Sequence, residues 1–484
     1  MEDPIILYFQ DLHRKNRKKS LITMIVVLVV MLVLFVFCMV CKPCDMIVNL
    51  VASGVTIIAA FVLYKVLEFW RQKYEDENKV SYRNSDMWNQ YGTNYRNIFR
   101  MNDSDFVVYS EKLFLYDEKT TNLVIEDRPG DFFELDPYIK VHSSPLLEAH
   151  AKSKKTDSVT VRLKDFEGPS AKNRNKTIIR TERSSYLAHL LTNRALDYLI
   201  DGDLSIRKLF ENDKSLRPPK RAQLSNHFGV NALVFLKEQD DKHAWLLLPH
   251  RSKTATVAKN KVTASIASRL EMDLKDKDDK MRFEYGYDSP LTKEYIIKGC
   301  VEQSLEKICV PEEWLNDNNI SVQIDFLGLS RDIYEGGKPT LFYAVELGIT
   351  PQQYMEGRGV WDEKKKKEKQ QEEAEKSPFR LPKPDRSIDE VEKIHIVKWS
   401  LIKMQSIIDE ETNNPIDPHS ESYYDTRLDK AKLMIYEWDG QDAKDGKYQV
   451  KEPAVEVEFE QNLISNFWFL EGCPEPAPSA KEAC

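Results

Sequence analysis

Cysteine is scarce in this 484-residue chain: seven are present, and three of them, Cys38, Cys41 and Cys44, sit together. They are too few and too unevenly placed for a disulfide scaffold, which points to a reducing compartment for the bulk of the protein. A basic surplus is also missing. Seventy Lys and Arg against 78 Asp and Glu give a net charge of −8. That balance argues against a dedicated duplex nucleic-acid binder, which neutralises phosphates with an excess of cations. An anionic ligand must instead meet a local basic pocket. Nor is there a compositional extreme: 42% hydrophobic and 31% charged residues exclude collagen-like and wholly disordered chains.

Charge is absent from Leu21 to Cys41, and a helix of that length spans about 31 Å, roughly the hydrocarbon thickness of a bilayer. A second apolar run follows the link Lys42-Pro43-Cys44-Asp45. The expectation is a membrane helical hairpin within 21–70, with spans 21–41 and 46–66, preceded by a basic segment 1–20. A secretory signal would have a shorter apolar region and a cleavage site. Arg14, Lys15 and Arg17 before the first span, and Lys65, Arg71 and Lys73 after the second, place both termini in the cytoplasm. The interior of the spans lacks ionisable residues, so no transport path is visible.

Beyond the hairpin, 71–104 reads as a polar connector and 105–222 as an α+β lead-in. Strand periodicity marks Phe106–Tyr109, Leu113–Tyr116, Val159–Leu163 and Thr177–Arg180, and a helical stripe of leucines marks Ser184–Ile200. In 223–410 two apolar runs, 229–236 and 244–248, flank a polar turn. A helix is expected from Glu294 to Cys309, strands at 320–329, 341–347 and 395–399, and a helix over 402–408. A charged insertion, 362–387, interrupts this region as a solvated segment or frayed helix. The last part, 411–484, holds an alternating stretch at 455–459 and the aromatic triplet Phe467-Trp468-Phe469.

The basic segment after the second run carries His250, Arg251, Ser252 and Lys253. These offer cations and a hydroxyl to phosphates, and the Arg251 guanidinium can hold two oxygens at once. Trp399, Phe342 and Tyr343 are candidate platforms for stacking bases. Asn226, within Ser225-Asn226-His227-Phe228-Gly229-Val230-Asn231, introduces the first run and is a further candidate for the same cleft.

The element order resembles a NUDIX domain, an α/β/α sandwich around a mixed sheet. That family's box holds magnesium on a helix through an Arg-Glu and a Glu-Glu pair. Anchored on Glu294, those pairs fall on Glu302-Gln303 and Glu306-Lys307, with Cys309 where a glycine would close the helix and Asp288 where the box glycine would stand; shifted by one, they fall on Val301-Glu302 and Leu305-Glu306. Only the box carboxylates Glu302 and Glu306 remain, a poor cage for an octahedral ion. The expectation is a ligand sensor with no catalytic residues, no metal and no cofactor.

With the hairpin and the segment 190–198, LLTNRALDY, the chain resembles the SMODS-associated NUDIX effectors of bacterial cyclic-oligonucleotide-based antiphage signalling systems (CBASS). The resemblance implies a cyclic di- or trinucleotide ligand made by a cognate nucleotidyltransferase. It further implies an inner-membrane location with the lipid bilayer as partner, homo-oligomer formation on activation, membrane disruption and abortive infection. The alternative is a membrane-anchored NUDIX hydrolase of a nucleoside diphosphate derivative.

Overall fold

The structure is a computed structural model, and it describes residues 91, 94–142, 158–170, 176–197, 199–201, 204–211, 214–239, 241–252, 258, 260–272, 290–296, 305–310, 312–374, 391–409, 412–417, 431–441, 443 and 447–473. The strands are β1 (Arg96–Met101), β2 (Ser104–Leu115), β3 (Asn122–Phe132), β4 (Val159–Glu167), β5 (Lys176–Ser185), β6 (Leu199–Asp201), β7 (Leu204–Ser205) and β8 (Gly229–Glu238). They continue with β9 (Asp241–Arg251), β10 (Ile266–Arg269), β11 (Val322–Asp332), β12 (Lys338–Leu347), β13 (Val391–Lys398), β14 (Lys403–Met404), β15 (Lys432–Ile435) and β16 (Val455–Glu458).

The expected class, a membrane hairpin carrying an α/β/α sandwich, is corrected by this arrangement. The described chain is an α+β fold built mostly of strands, with few helices. Among the described residues no helix is long and apolar enough to cross a membrane. The longest, Pro351–Ala374, has 24 residues, and its second half reads Asp-Glu-Lys-Lys-Lys-Lys-Glu-Lys, which could not be desolvated in lipid. The structure therefore gives no support to two membrane spans or an inner-membrane location; the segments 21–41 and 46–66 lie outside the described residues.

The chain divides into two compact units. In the first, formed by Met1–Tyr82, Asp136–Thr156 and Arg194–Leu209, the described part holds the helix Pro137–His142 and the β6–β7 pair. There a buried Arg207 pairs its Nε with Asp197 Oδ1 at 2.7 Å. The second unit carries the main sheet.

That sheet has eight strands in the order β1-β2-β11-β12-β8-β9-β13, with β10 also paired to β8. All neighbours are antiparallel except β12 and β8. Its central strands are buried on both faces, which is why 229–236 and 244–248 read as unbroken apolar runs. Leu233, Phe235, Leu246, Leu248 and Phe342 pack on one side against the helix Gln461–Leu470 and the small sheet β14-β15-β16. Val230, Val234, Trp245, Leu247 and Tyr343 pack on the other, against Val161 and Leu163 of β4, Ile179 of β5, and Tyr295, Leu315 and Tyr354. Strands thus supply much of the cover that a sandwich would take from helices.

The C-terminal helix Gln461–Leu470 starts where the Glu460 side chain accepts from Asn462 N at 2.9 Å, and it turns Leu463, Ile464, Phe467 and Trp468 into the core. The expected helix at 402–408 is absent: Lys403–Met404 pair instead as β14 with β15. The charged insertion begins as the second half of the helix Pro351–Ala374.

Gly328 sits at a register break of β11 with φ +150°, and a Cβ there would lie 2.4 Å from Phe114 O and 2.8 Å from Phe469 Cε1. Gly328→Ala is expected to cost about 2–4 kcal/mol, since backbone strain adds to overpacking. The check is urea unfolding, in which a change below about 0.5 kcal/mol would contradict this packing.

Candidate functional site

The last residues of β9 leave the core in sequence order. Ala244 to Pro249 are buried, and His250, Arg251 and Ser252 are half-buried. The segment is held from both sides. Thr263 N donates to Pro249 O at 3.0 Å and Arg251 N to Lys261 O at 3.0 Å, while β13 pairs Ile394 with Pro249 and Lys393 with His250. Proline is tolerated here because its missing N–H is needed by neither neighbour.

Side-chain alternation then brings His250, Lys393 and His395 to one face of this strand pair. His250 Nδ1 lies 3.2 Å from His395 Nε2. On the far side of β13, residues 436–438 add a short ladder, with Lys398 N donating to Tyr436 O at 3.0 Å and Trp438 N to Ile396 O at 2.8 Å. That ladder delivers Glu437, whose Oε1 accepts from His395 Nδ1 and from Lys393 Nζ, the latter at 2.5 Å. The result is a chain of three groups, Glu437, His395 and His250, running from the core to the half-exposed end of β9.

The hydrogen bond from His395 and then that from Lys393 hold Glu437 down at about 2, against the upward pull of burial. Glu437 is therefore a carboxylate at neutral pH and fixes His395 with Nδ1 as the donor. Burial, followed by the neighbouring His395, holds His250 below its usual value; Glu392 and hydrogen bonds to Asn260 act in the opposite sense. A neutral His250 with a carboxylate-backed imidazole behind it can accept a proton and have the resulting charge compensated two groups away. Arg251 and Ser252 follow it in the chain, both half-buried.

The other residues expected at the site lie elsewhere. Tyr343 is fully buried and gives its hydroxyl to Ile296 O, with its ring against Phe326 at 5.2 Å, so neither face is open to a base. Trp399 packs edge-on against Phe235 at 5.5 Å and Phe467 at 5.0 Å, bracing the core. Asn226 is buried in a reciprocal pair: its Oδ1 accepts from Asn193 Nδ2 at 2.7 Å and its N–H donates to Asn193 Oδ1 at 2.8 Å. Lys253, Glu302 and Asp288 lie outside the described residues, as does the side chain of Glu306.

Of the expected helix Glu294–Cys309, the described pieces are a helical turn at 293–296 and a 3-10 turn, Leu305–Ile308. Cys309, where a glycine was expected, does adopt the left-handed conformation with φ +60°. Lys307 reaches away from a box position to Ser268 Oγ at 3.0 Å. Among the described residues no group of three or more His, Cys, Asp or Glu could hold a metal ion.

His395 and Glu437 are the members of this candidate site that sequence reasoning missed. A signal for His395 was present: a lone imidazole between apolar neighbours in a strand needs a buried partner. Glu437 had none, because its partner is 42 positions away. No family model matches this chain, and no curated protein matches it.

Removing the carboxylate tests the chain of groups. Because Glu437 is depressed from 4.5 to about 2, its stabilisation is fully present above 4.5 and is lost as pH falls toward about 2. Glu437→Gln is expected to be less stable than wild type at pH 7 by about 1–3 kcal/mol, with the gap closing in acid. Urea unfolding at neutral and acid pH reads this, and a gap that widened in acid would reverse the assignment.

Proposed function

We propose that this chain is a nucleotide sensor of a cyclic-oligonucleotide-based antiphage signalling system. Its strand-rich unit binds a cyclic di- or trinucleotide at the end of β9 without cleaving it. The observation that carries the reading is the run His250, Arg251 and Ser252, half-exposed at one strand end, with His250 backed by His395 and Glu437. A guanidinium fork matches two phosphate oxygens. The net charge of −8 makes such a local cationic end the place where an anion can dock. The sequence resemblance to the SMODS-associated NUDIX effectors supplies the ligand class, and the eroded box favours binding over hydrolysis.

A second reading is favoured by one specific observation. A histidine relayed to a carboxylate is also the arrangement of a general base, so hydrolysis of a nucleoside diphosphate derivative at His250 is the alternative.

One experiment separates the two. The full chain is titrated calorimetrically with a panel of cyclic di- and trinucleotides, and the mixture is then analysed by mass. A sensor binds one of them and returns it intact, and Arg251→Ala weakens binding at least about tenfold, the value of one lost charge-assisted contact. Cleaved ligand would establish the hydrolase, and silence across the panel would remove the nucleotide reading.

A further inference from the structure

His250 is the meeting point of four chain segments. On β9 it bridges to Val262 and pairs with Lys393 of β13. Its ring faces His395 of β13, Nδ1 to Nε2 at 3.2 Å, and His395 in turn donates to Glu437 in the ladder 436–438. It also hydrogen-bonds to the backbone and side chain of Asn260, which sits in a turn at φ +55°. That turn is closed by Lys261 N donating to Ala258 O at 3.2 Å, and Arg251 N ties it to β9 by donating to Lys261 O at 3.0 Å.

Ring protons give this chain a direction. His395 gives its Nδ1 proton to the Glu437 carboxylate, so in the neutral ring Nε2 is a bare acceptor. His250 then places its own single proton on Nδ1, because two bare nitrogens 3.2 Å apart would face lone pair to lone pair. Neutral His250 is thereby left with a bare Nε2. A proton added to the pair goes to that outer nitrogen, where the contact with His395 is undisturbed and the ring becomes a donor toward Asn260. A proton on His395 Nε2 would instead put two hydrogens between the rings.

The surroundings hold this proton uptake in balance. Burial and then the neighbouring His395 oppose it, while Glu392 of β13 and the Asn260 hydrogen bonds favour it. Lys393 is drawn to Glu437 at 2.5 Å. Arg251, the next residue of β9, and Lys261, one before Val262, belong to the opposite face by alternation. Glu458, whose carbonyl accepts from Val262 N, is exposed to water.

We infer that His250 is a pH-sensitive clasp: in mild acid its outer ring nitrogen gains a proton and ties the end of β9 to the Asn260 turn, completing a line of hydrogen bonds from Glu437 through His395 and His250 to Asn260. At alkaline pH the ring cannot donate, and the turn is held by the backbone bonds of Lys261. The clasp depends on these contacts and not on what the end of β9 binds. Because burial keeps the folded value below the unfolded one, this group contributes a net loss of global stability as pH falls below about 6.5, so the readout is local order rather than melting.

The test is NMR of the full chain with isotope-labelled histidine, titrated from about pH 8 to about pH 5, with amide hydrogen exchange read at both ends. At the alkaline end His250 is expected to carry its proton on Nδ1, and on acidification Nε2 should gain one with a midpoint below about 6.5. Protection of the Lys261 amide, corrected for the intrinsic rate, should rise about five- to tenfold in acid, the worth of one hydrogen bond. Asn260→Gly removes the side-chain acceptor at an exposed residue of positive φ, where glycine fits without strain. It should lower the His250 midpoint and reduce the gain in protection. His395→Phe removes the inner acceptor and should move the neutral His250 proton from Nδ1 to Nε2; wild type and Asn260→Gly suffice if that variant does not fold. A neutral wild-type His250 protonated at Nε2, a ring that does not titrate in this range, or equal Lys261 protection at both ends would overturn the clasp. So would a midpoint in Asn260→Gly at or above that of wild type. Cyclic nucleotides take no part, so silence across their panel leaves this result standing.

Discussion

Burial of the central strands on both faces is the constraint on which the second unit depends. β8, β9 and β12 carry apolar side chains in both directions, so neither face of the sheet can be left to water. Each large side chain withdrawn from water contributes about 1.5–3 kcal/mol, so distant segments are recruited as cover. The C-terminal helix is one of them, with Phe469 stacked on Phe342 at 4.5 Å and seated on the bare Cα of Gly328. β4 and β5 are another, reached from the opposite side and itself braced by buried ion pairs. Arg162 donates to Glu182 at 2.5 Å and to the carbonyl of Ala222 at 2.7 Å, so its charge is paired where it is desolvated.

The same constraint positions the polar end of β9. Beyond the Phe235–Leu246 pair β9 parts from β8, β10 takes its place beside β8, and the sheet divides into two branches. His250 and Arg251 stand on one branch, Arg269 and Gly229 on the other. Polar side chains collect at this end because the apolar cover stops there. The Asn193–Asn226 pair closes the approach to β8, holding Asn226 at φ +42° so that the chain enters the strand at a fixed angle. The Glu437–His395–His250 chain fixes the outer branch with charge-assisted bonds.

Much of this fold was legible in the residues, and the failures have identifiable causes. The alternation at Phe106–Tyr109 and Leu113–Tyr116 marked strand correctly, although the two runs form one continuous β2. The runs at 229–236 and 244–248 were read as strands because a buried strand needs nothing but apolar residues. The leucine stripe of Ser184–Ile200 promised a longer helix than the six residues of Tyr186–Leu191. There Thr192 returns its hydroxyl to Ala188 O and Asn193 bonds to Asn226, which ends the helix early. Residues 402–408 have a helical pattern, but pairing with β15 outweighs that local preference. At the candidate site, His250 and Arg251 were legible because a basic cluster after an apolar strand is a local signal. Tyr343 and Trp399 were misleading, since an aromatic in a strand looks the same whether it faces a ligand or the core.

The sequence alone determined the central strands, the near-neutral composition with its small acidic excess, and the basic end of β9. Each of these is a property of neighbouring residues or of their sum. Only the tertiary structure decided that Glu437 joins His395 and His250 in one chain of groups, and that β10 separates β8 from the end of β9. Those depend on register across strands far apart in the chain, and a shift of one residue would turn every side chain to the opposite face. Periodicity states that a strand has two faces; the packing of the rest of the chain decides what each face meets.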